Sequence, residues 1–191
     1  MGLFELLFGL AAIILGLALT NITASLHRLA LAGRKVRWAP EPLLLALLVT
    51  MIIVYVWLGH WFERKMTSIN AGRALLDVAR MMALYFAAAS CLPEPDQLGE
   101  KRIDLVDYYY GSRALSYGAL ITGLILFDIY FALGDRPMNW HETLRDDGGL
   151  VLVYGSLIFI RARWVHLVAL SVVILVFGSS VFALTLKQVQ G

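Results

Sequence analysis

The stretch Gly72–Pro95, GRALLDVARMMALYFAAASCLPEP, decides how the rest of the chain is read. It has the length and apolar content of a membrane-crossing helix, yet Arg73, Asp77 and Arg80 fall on one of its faces, at spacings of four and three residues. Charges at that depth are costly unless they face protein or water. The stretch therefore predicts a helix around whose charged face the other helices are arranged.

Composition agrees with a bilayer setting. Of 191 residues, 60% are hydrophobic and 16% charged, against about 25% charged in an ordinary soluble domain. The apolar residues gather into blocks long enough to span ~30 Å of hydrocarbon at ~1.5 Å per helical residue. No polar block is large enough for a separate soluble domain, so a single membrane domain, 1–191, is expected. A net charge of +2, with its basic residues in short connections, argues against nucleic acid as a partner. The one cysteine, Cys91, has no partner for an internal disulfide or a thiolate metal site. The N-terminus MGLFELLFGL lacks a basic n-region and runs into a long apolar stretch, which predicts a retained first span rather than a signal peptide.

The expected fold is all-α: a polytopic integral membrane protein, a six-helix transmembrane bundle with spans at about 3–31, 42–65, 72–92, 114–133, 149–160 and 164–186. The segment DQLGEKRIDLVDYYYGSR is expected to form an amphipathic surface helix between helices three and four, with Tyr108 to Tyr110 at the headgroups. GDRPMNWHETLRDDGG reads as a polar loop, leaving a short fifth helix. Along the first helix Gly9, Gly16, Thr20 and Thr23 recur at helical spacing as a small-residue stripe, suited to close helix packing or to lining a pore. The connections after helices one, three and five hold the larger share of Lys and Arg, which places both termini outside by the positive-inside rule.

Six crossings also fix which helix ends share a side. Glu5, His60, Arg73, Asp77, Arg80 and Asp128 then lie within a few turns of one interface and form a candidate polar cluster. Asp77 can pair with either arginine, and Arg80, the deepest, is expected to need a second partner such as Asp128 or Glu5. Such a layer serves either as a structural ion-pair network or as a water-accessible site where a carboxylate binds a cation or exchanges a proton. A third possibility is haem held by histidine pairs, His60 with His141 and His27 with His166. No catalytic residue is identified: Ser116, Tyr117, Ser171 and Ser179 read as isolated hydroxyls without a neighbouring base, and no metal-ligand spacing is present.

Taken as a set, LFELLFGL, LHRLALAGRKVRW, LYFAAASCLPEPD, DLVDYYYGSR and RARWVHLV resemble a family of small bacterial inner-membrane proteins to which no activity is attached. That resemblance implies a multi-pass fold in the bacterial inner membrane and transfers no catalytic or binding residue. The expected function is a small channel or transporter that conducts ions or protons through the polar cluster. The alternatives are a non-catalytic membrane scaffold or accessory subunit and a haem-bearing electron carrier. The lipid bilayer and further copies of the chain, or a membrane complex, are the expected partners.

Overall fold

A computed structural model describes residues 3–62, 71–93, 102–134 and 140–189. Glu63 to Lys65, Ser68, Asn70, the stretch from Asp96 to Lys101 and Arg136 lie outside these residues. Among the described residues the fold is all-α, with six helices: α1 Leu3–Ala32, α2 Pro40–Phe62, α3 Ala71–Cys91, α4 Leu105–Ala132, α5 Trp140–Phe159 and α6 Arg163–Val189. Four stretches, Leu7–Lys35, Pro40–His60, Ala71–Cys91 and Leu105–Ala132, are long and apolar enough to cross a membrane among the described residues. Those of α5 and α6 are shorter, Asp147–Phe159 and Arg163–Ser179.

Three helices start or stop for identifiable local reasons. Gly33 follows α1 at φ +52°, a backbone conformation that glycine adopts without steric cost and that ends many helices. Pro40 opens α2, where a missing N–H costs nothing because the first turn has no intrahelical acceptor for it. Asp104 caps α4, its carboxylate accepting from the N–H groups of Val106 (2.9 Å) and Asp107.

Between α1 and α2, β1 (Val36–Arg37) pairs in parallel with β2 (Ile103–Asp104), joining two connections far apart in sequence. Arg37 reinforces the join with a 2.8 Å ion pair to Asp104. This pairing and the cap revise the expected surface segment. Leu105 to Arg113 are helical but continuous with α4, and Tyr109 is fully buried rather than at a headgroup. The physical reason is that Leu105, Tyr109, Arg113, Ser116, Tyr117 and Leu120 already form one buried helical face. The fifth helix also begins earlier than expected, at Trp140, because the polar residues after the turn continue the helix and two glycines, Gly148 and Gly149, are tolerated within it.

The most extensive packing is between α3 and α4, with α1 on α3, α5 on α4 and α6 on α2. The α3–α4 register is antiparallel: Ser116 Oγ donates to Ser90 Oγ at 2.8 Å, and seven residues along each helix Gly123 meets Ala83, where a Cβ would stand 3.7 Å from the alanine methyl. Small residues bring the two backbones together there. On α1 the packed face is Ala11, Leu15, Ala18, Ile22, Ser25 and Leu29. The Gly16, Thr20, Thr23 stripe is exposed instead, and a Cβ built on Gly9 or Gly16 meets nothing within 4 Å. The expected close-packing stripe is therefore not the face that α1 presents to this chain's other helices. Those threonines return their hydroxyls to the helix backbone, Thr20 to Gly16 at 2.8 Å and Thr23 to Leu19 at 2.9 Å.

The Asp104 joint is testable by pH. Slight desolvation pushes its carboxyl up, but the Arg37 hydrogen bond and the N–H groups of Val106 and Asp107 outweigh it and hold the carboxyl below its usual range. A group more acidic in the folded state than in the unfolded chain stabilises above about pH 4, and the contribution is lost as pH falls through the folded value. Asp104→Asn keeps a capping oxygen and removes this titration. The acid limb of a melting curve taken between about pH 2 and 6 should flatten in the variant; an unchanged limb would contradict the assignment.

Candidate functional site

The charged face of α3 is where two other helices meet it. Asp77 and Arg80 are one turn apart, and His60 reaches Asp77 from the last turn of α2. All three are more than nine-tenths buried. His60 Nε2 lies 2.9 Å from Asp77 Oδ2, and Nδ1 lies 2.8 Å from the Val56 carbonyl. Arg80 donates from Nη2 to the other oxygen, Asp77 Oδ1. Of the six residues grouped from the sequence, His60, Asp77 and Arg80 form a contiguous trio.

The hydrogen count at this site follows from its acceptors. A carbonyl only accepts, so His60 Nδ1 carries a hydrogen. In a neutral ring Nε2 would then be a bare lone pair facing a carboxylate oxygen. A hydrogen must sit between them, so the pair is either imidazolium with carboxylate or imidazole with carboxylic acid. Arg80 completes the charge on the carboxylate's other edge.

Around this trio the expected partners are rearranged. Arg80 turns its other side to aromatic faces, with its guanidinium carbon 5.3 Å from the ring centres of both Phe127 and Tyr130. Arg73 lies 4.7 Å over the same Tyr130 ring. Cation–π contact with α4 takes the place of the expected second carboxylate. Asp128 shares a hydrogen bond with Asp147 of α5, a residue that the sequence placed in a loop. Glu5 lies exposed near the start of α1.

At the opposite end of α2 is a second polar cluster that sequence reasoning missed. Glu41, in the first turn of α2, is fully buried and accepts from Arg163 Nε at 2.6 Å. His166 Nε2 lies 2.9 Å from the Ile160 carbonyl, so it carries a hydrogen, and in the neutral ring Nδ1 accepts from the Tyr109 hydroxyl at 2.7 Å. Tyr109 then has only a lone pair for Tyr117, whose hydroxyl donates to it at 2.7 Å. The hydrogen bonds therefore run Tyr117 to Tyr109 to His166 to Ile160. Arg113 Nη1 donates to the same Ile160 carbonyl at 2.7 Å, so a carbonyl just past the end of α5 is met by a cation and an imidazole. Tyr117, expected to be isolated, is two bonds from an imidazole. The available signal was the helical spacing of Tyr109, Arg113 and Tyr117, obscured by placing the tyrosines in a surface segment.

The four histidines differ in availability. Both ring nitrogens of His60 and of His166 are engaged, so iron ligation by either would require breaking a buried hydrogen bond; His27 and His141 are exposed.

Comparison of the chain with protein-family models, with curated proteins and with solved structures finds no match in any of the three.

The tyrosine chain makes a stability prediction. Tyr109→Phe leaves His166 Nδ1 and the Tyr117 hydroxyl buried without their partner, at a cost of about 1–3 kcal/mol. Adding Tyr117→Phe removes one of the stranded groups and should recover part of the loss. Thermal unfolding in detergent reads both; a Tyr109→Phe melting temperature equal to wild type would contradict the network.

Proposed function

We propose that this chain is a six-helix bacterial inner-membrane protein that moves protons, with His60, Asp77 and Arg80 as its proton site. The observation that carries this is the hydrogen required between His60 Nε2 and Asp77 Oδ2, a proton held inside an apolar helix assembly by two groups able to release it. Removing that proton sets a lone pair against a carboxylate oxygen and undoes the bond that ties α2 to α3 there. Arg80 stays on Asp77 in either state, since a guanidinium does not deprotonate. Occupancy of one proton is thereby coupled to whether the two helices are joined at this level, which is the coupling a gated transporter needs.

The alternative is a scaffold whose ion pairs only hold helices together, and the thorough burial of the trio is the observation in its favour. Reconstituted protein separates the two. Under an imposed potential, proteoliposomes containing the wild type should acidify faster than empty ones, and Asp77→Asn should slow this about a hundredfold, as loss of a proton-transferring group does elsewhere. Wild-type vesicles no faster than empty ones, or an Asp77→Asn variant equal to wild type, would overturn the proposal. Melting temperatures of the same samples establish that the variant is folded.

A further inference from the structure

Three connections gather at one end of the bundle. The β1–β2 pairing holds the α1–α2 and α3–α4 connections together, and the turn between α5 and α6 is tied to the start of α2 by Arg163 on Glu41. Together they expose six cationic side chains: Arg34, Lys35 and Arg37 from the first, Arg102 from the second, Arg161 and Arg163 from the third. Among the described residues the acids at this end are Glu41, fully buried, Asp104, engaged by Arg37, and Asp107.

Two of these arginines are held at one edge and open at the other. Glu41 Oε1 takes Nε of Arg163, while 51% of that side chain stays exposed and its Nη groups have no partner among the described residues. Asp104 takes Nη1 of Arg37, whose side chain is 69% exposed. Asp104 also acts electrostatically on Arg163, so both arginines lie in the field of one acid. The carboxylates stand behind the guanidinium groups, and what faces outward is positive. A guanidinium anchored in this way loses little freedom on binding and offers paired N–H groups to the oxygens of a phosphate. The neighbouring residues narrow the source of that phosphate. Trp38 and Trp164, adjacent in sequence to Arg37 and Arg163, are exposed, and the apolar span of α2 begins two residues after Trp38. Indole rings at the ends of apolar helices settle at the headgroup level of a bilayer.

We propose that this end of the bundle binds anionic phospholipid, with Arg37 and Arg163 on phosphate oxygens, Arg161 adding charge, and Trp38 and Trp164 beside the headgroup. The inference rests on the membrane placement in the reading above and not on proton movement.

The test uses the full chain in phosphatidylcholine vesicles, with tryptophan fluorescence quenched by increasing fractions of brominated phosphatidylglycerol or brominated phosphatidylcholine. Attraction at the membrane surface is worth about fivefold per cation, so phosphatidylglycerol should reach half-saturation at a mole fraction at least ~10-fold lower than phosphatidylcholine. Arg37→Gln and Arg161→Gln should each narrow that difference about fivefold. Arg161 makes no hydrogen bond or ion pair among the described residues, so its variant keeps the test decisive if Arg37→Gln proves unfolded by circular dichroism. Excess inorganic phosphate should not compete. Quenching by neither lipid would overturn the membrane placement and this proposal with it. Quenching by both at equal half-saturation, a preference that survives both substitutions, or its loss to inorganic phosphate would overturn this proposal alone, the last by showing an anion site that needs no lipid.

Discussion

A carboxylate that is 2% exposed, on a helix apolar enough to cross a membrane, is the constraint from which much of this architecture follows. Removing an isolated charge from water costs several kcal/mol even after relaxation, so Asp77 requires partners on both oxygens. One comes from its own helix, three residues on. The other comes from α2, whose last turn must therefore stand against the start of α3. Arg80 in turn needs its remaining surface covered, and Phe127 and Tyr130 do this from α4. One acid thus joins α2, α3 and α4 at a single level, each contact compensating a charge that the previous contact buried.

A second level of joining lies at the far end of α2. Glu41 and His60 are separated by nineteen positions along one helix, about 28 Å at the helical rise. Around Glu41 the connecting groups are hydroxyls, an imidazole, a helix-end carbonyl and two guanidinium groups, Arg113 on the carbonyl and Arg163 on the carboxylate, and through them α2, α4, α5 and α6 meet. Between the two levels the contacts are apolar, and α3 and α4 approach closely through small side chains. A cavity occupies this middle zone, with Arg80 in its wall and Tyr154 stacked on Tyr117, 5.9 Å between ring centres, at the edge of the second level. The two polar levels are consequently neighbours of one cavity.

How far the sequence carried depended on which physical signal each residue gives. The helices of α1, α2, α3 and α6 were legible because apolar runs of that length have few other structures available to them. Helix parity, which needs only the number of crossings, grouped His60, Asp77 and Arg80 together with Glu5, Arg73 and Asp128. Parity does not, however, fix rotation about a helix axis. Asp128 shares the expected side yet turns to Asp147, and the Gly16, Thr20, Thr23 stripe faces outward while Ala11, Leu15 and Ala18 face in. Glu41 escaped notice because, between Pro40 and Pro42, it resembles a turn residue. Its burial depends on Arg163, more than a hundred residues away, and no local pattern encodes that pairing. The run Tyr108 to Tyr110 suggested an interface, since consecutive tyrosines point in different directions around a helix; the buried member is identified only by its spacing to Arg113 and Tyr117.

The geometry requires a hydrogen between His60 Nε2 and Asp77 Oδ2, with Nδ1 also protonated. Nitrogen-15 magnetic resonance of protein labelled at histidine, with His60 assigned by substitution to glutamine, reports the hydrogen on each ring nitrogen directly. At neutral pH both His60 nitrogens should be hydrogen-bonded through hydrogen, Nδ1 to a carbonyl and Nε2 sharing its hydrogen with the carboxylate, and Asp77→Asn should change the Nε2 signal while leaving Nδ1 in place. A neutral ring with a bare Nε2, indifferent to Asp77→Asn, would contradict it.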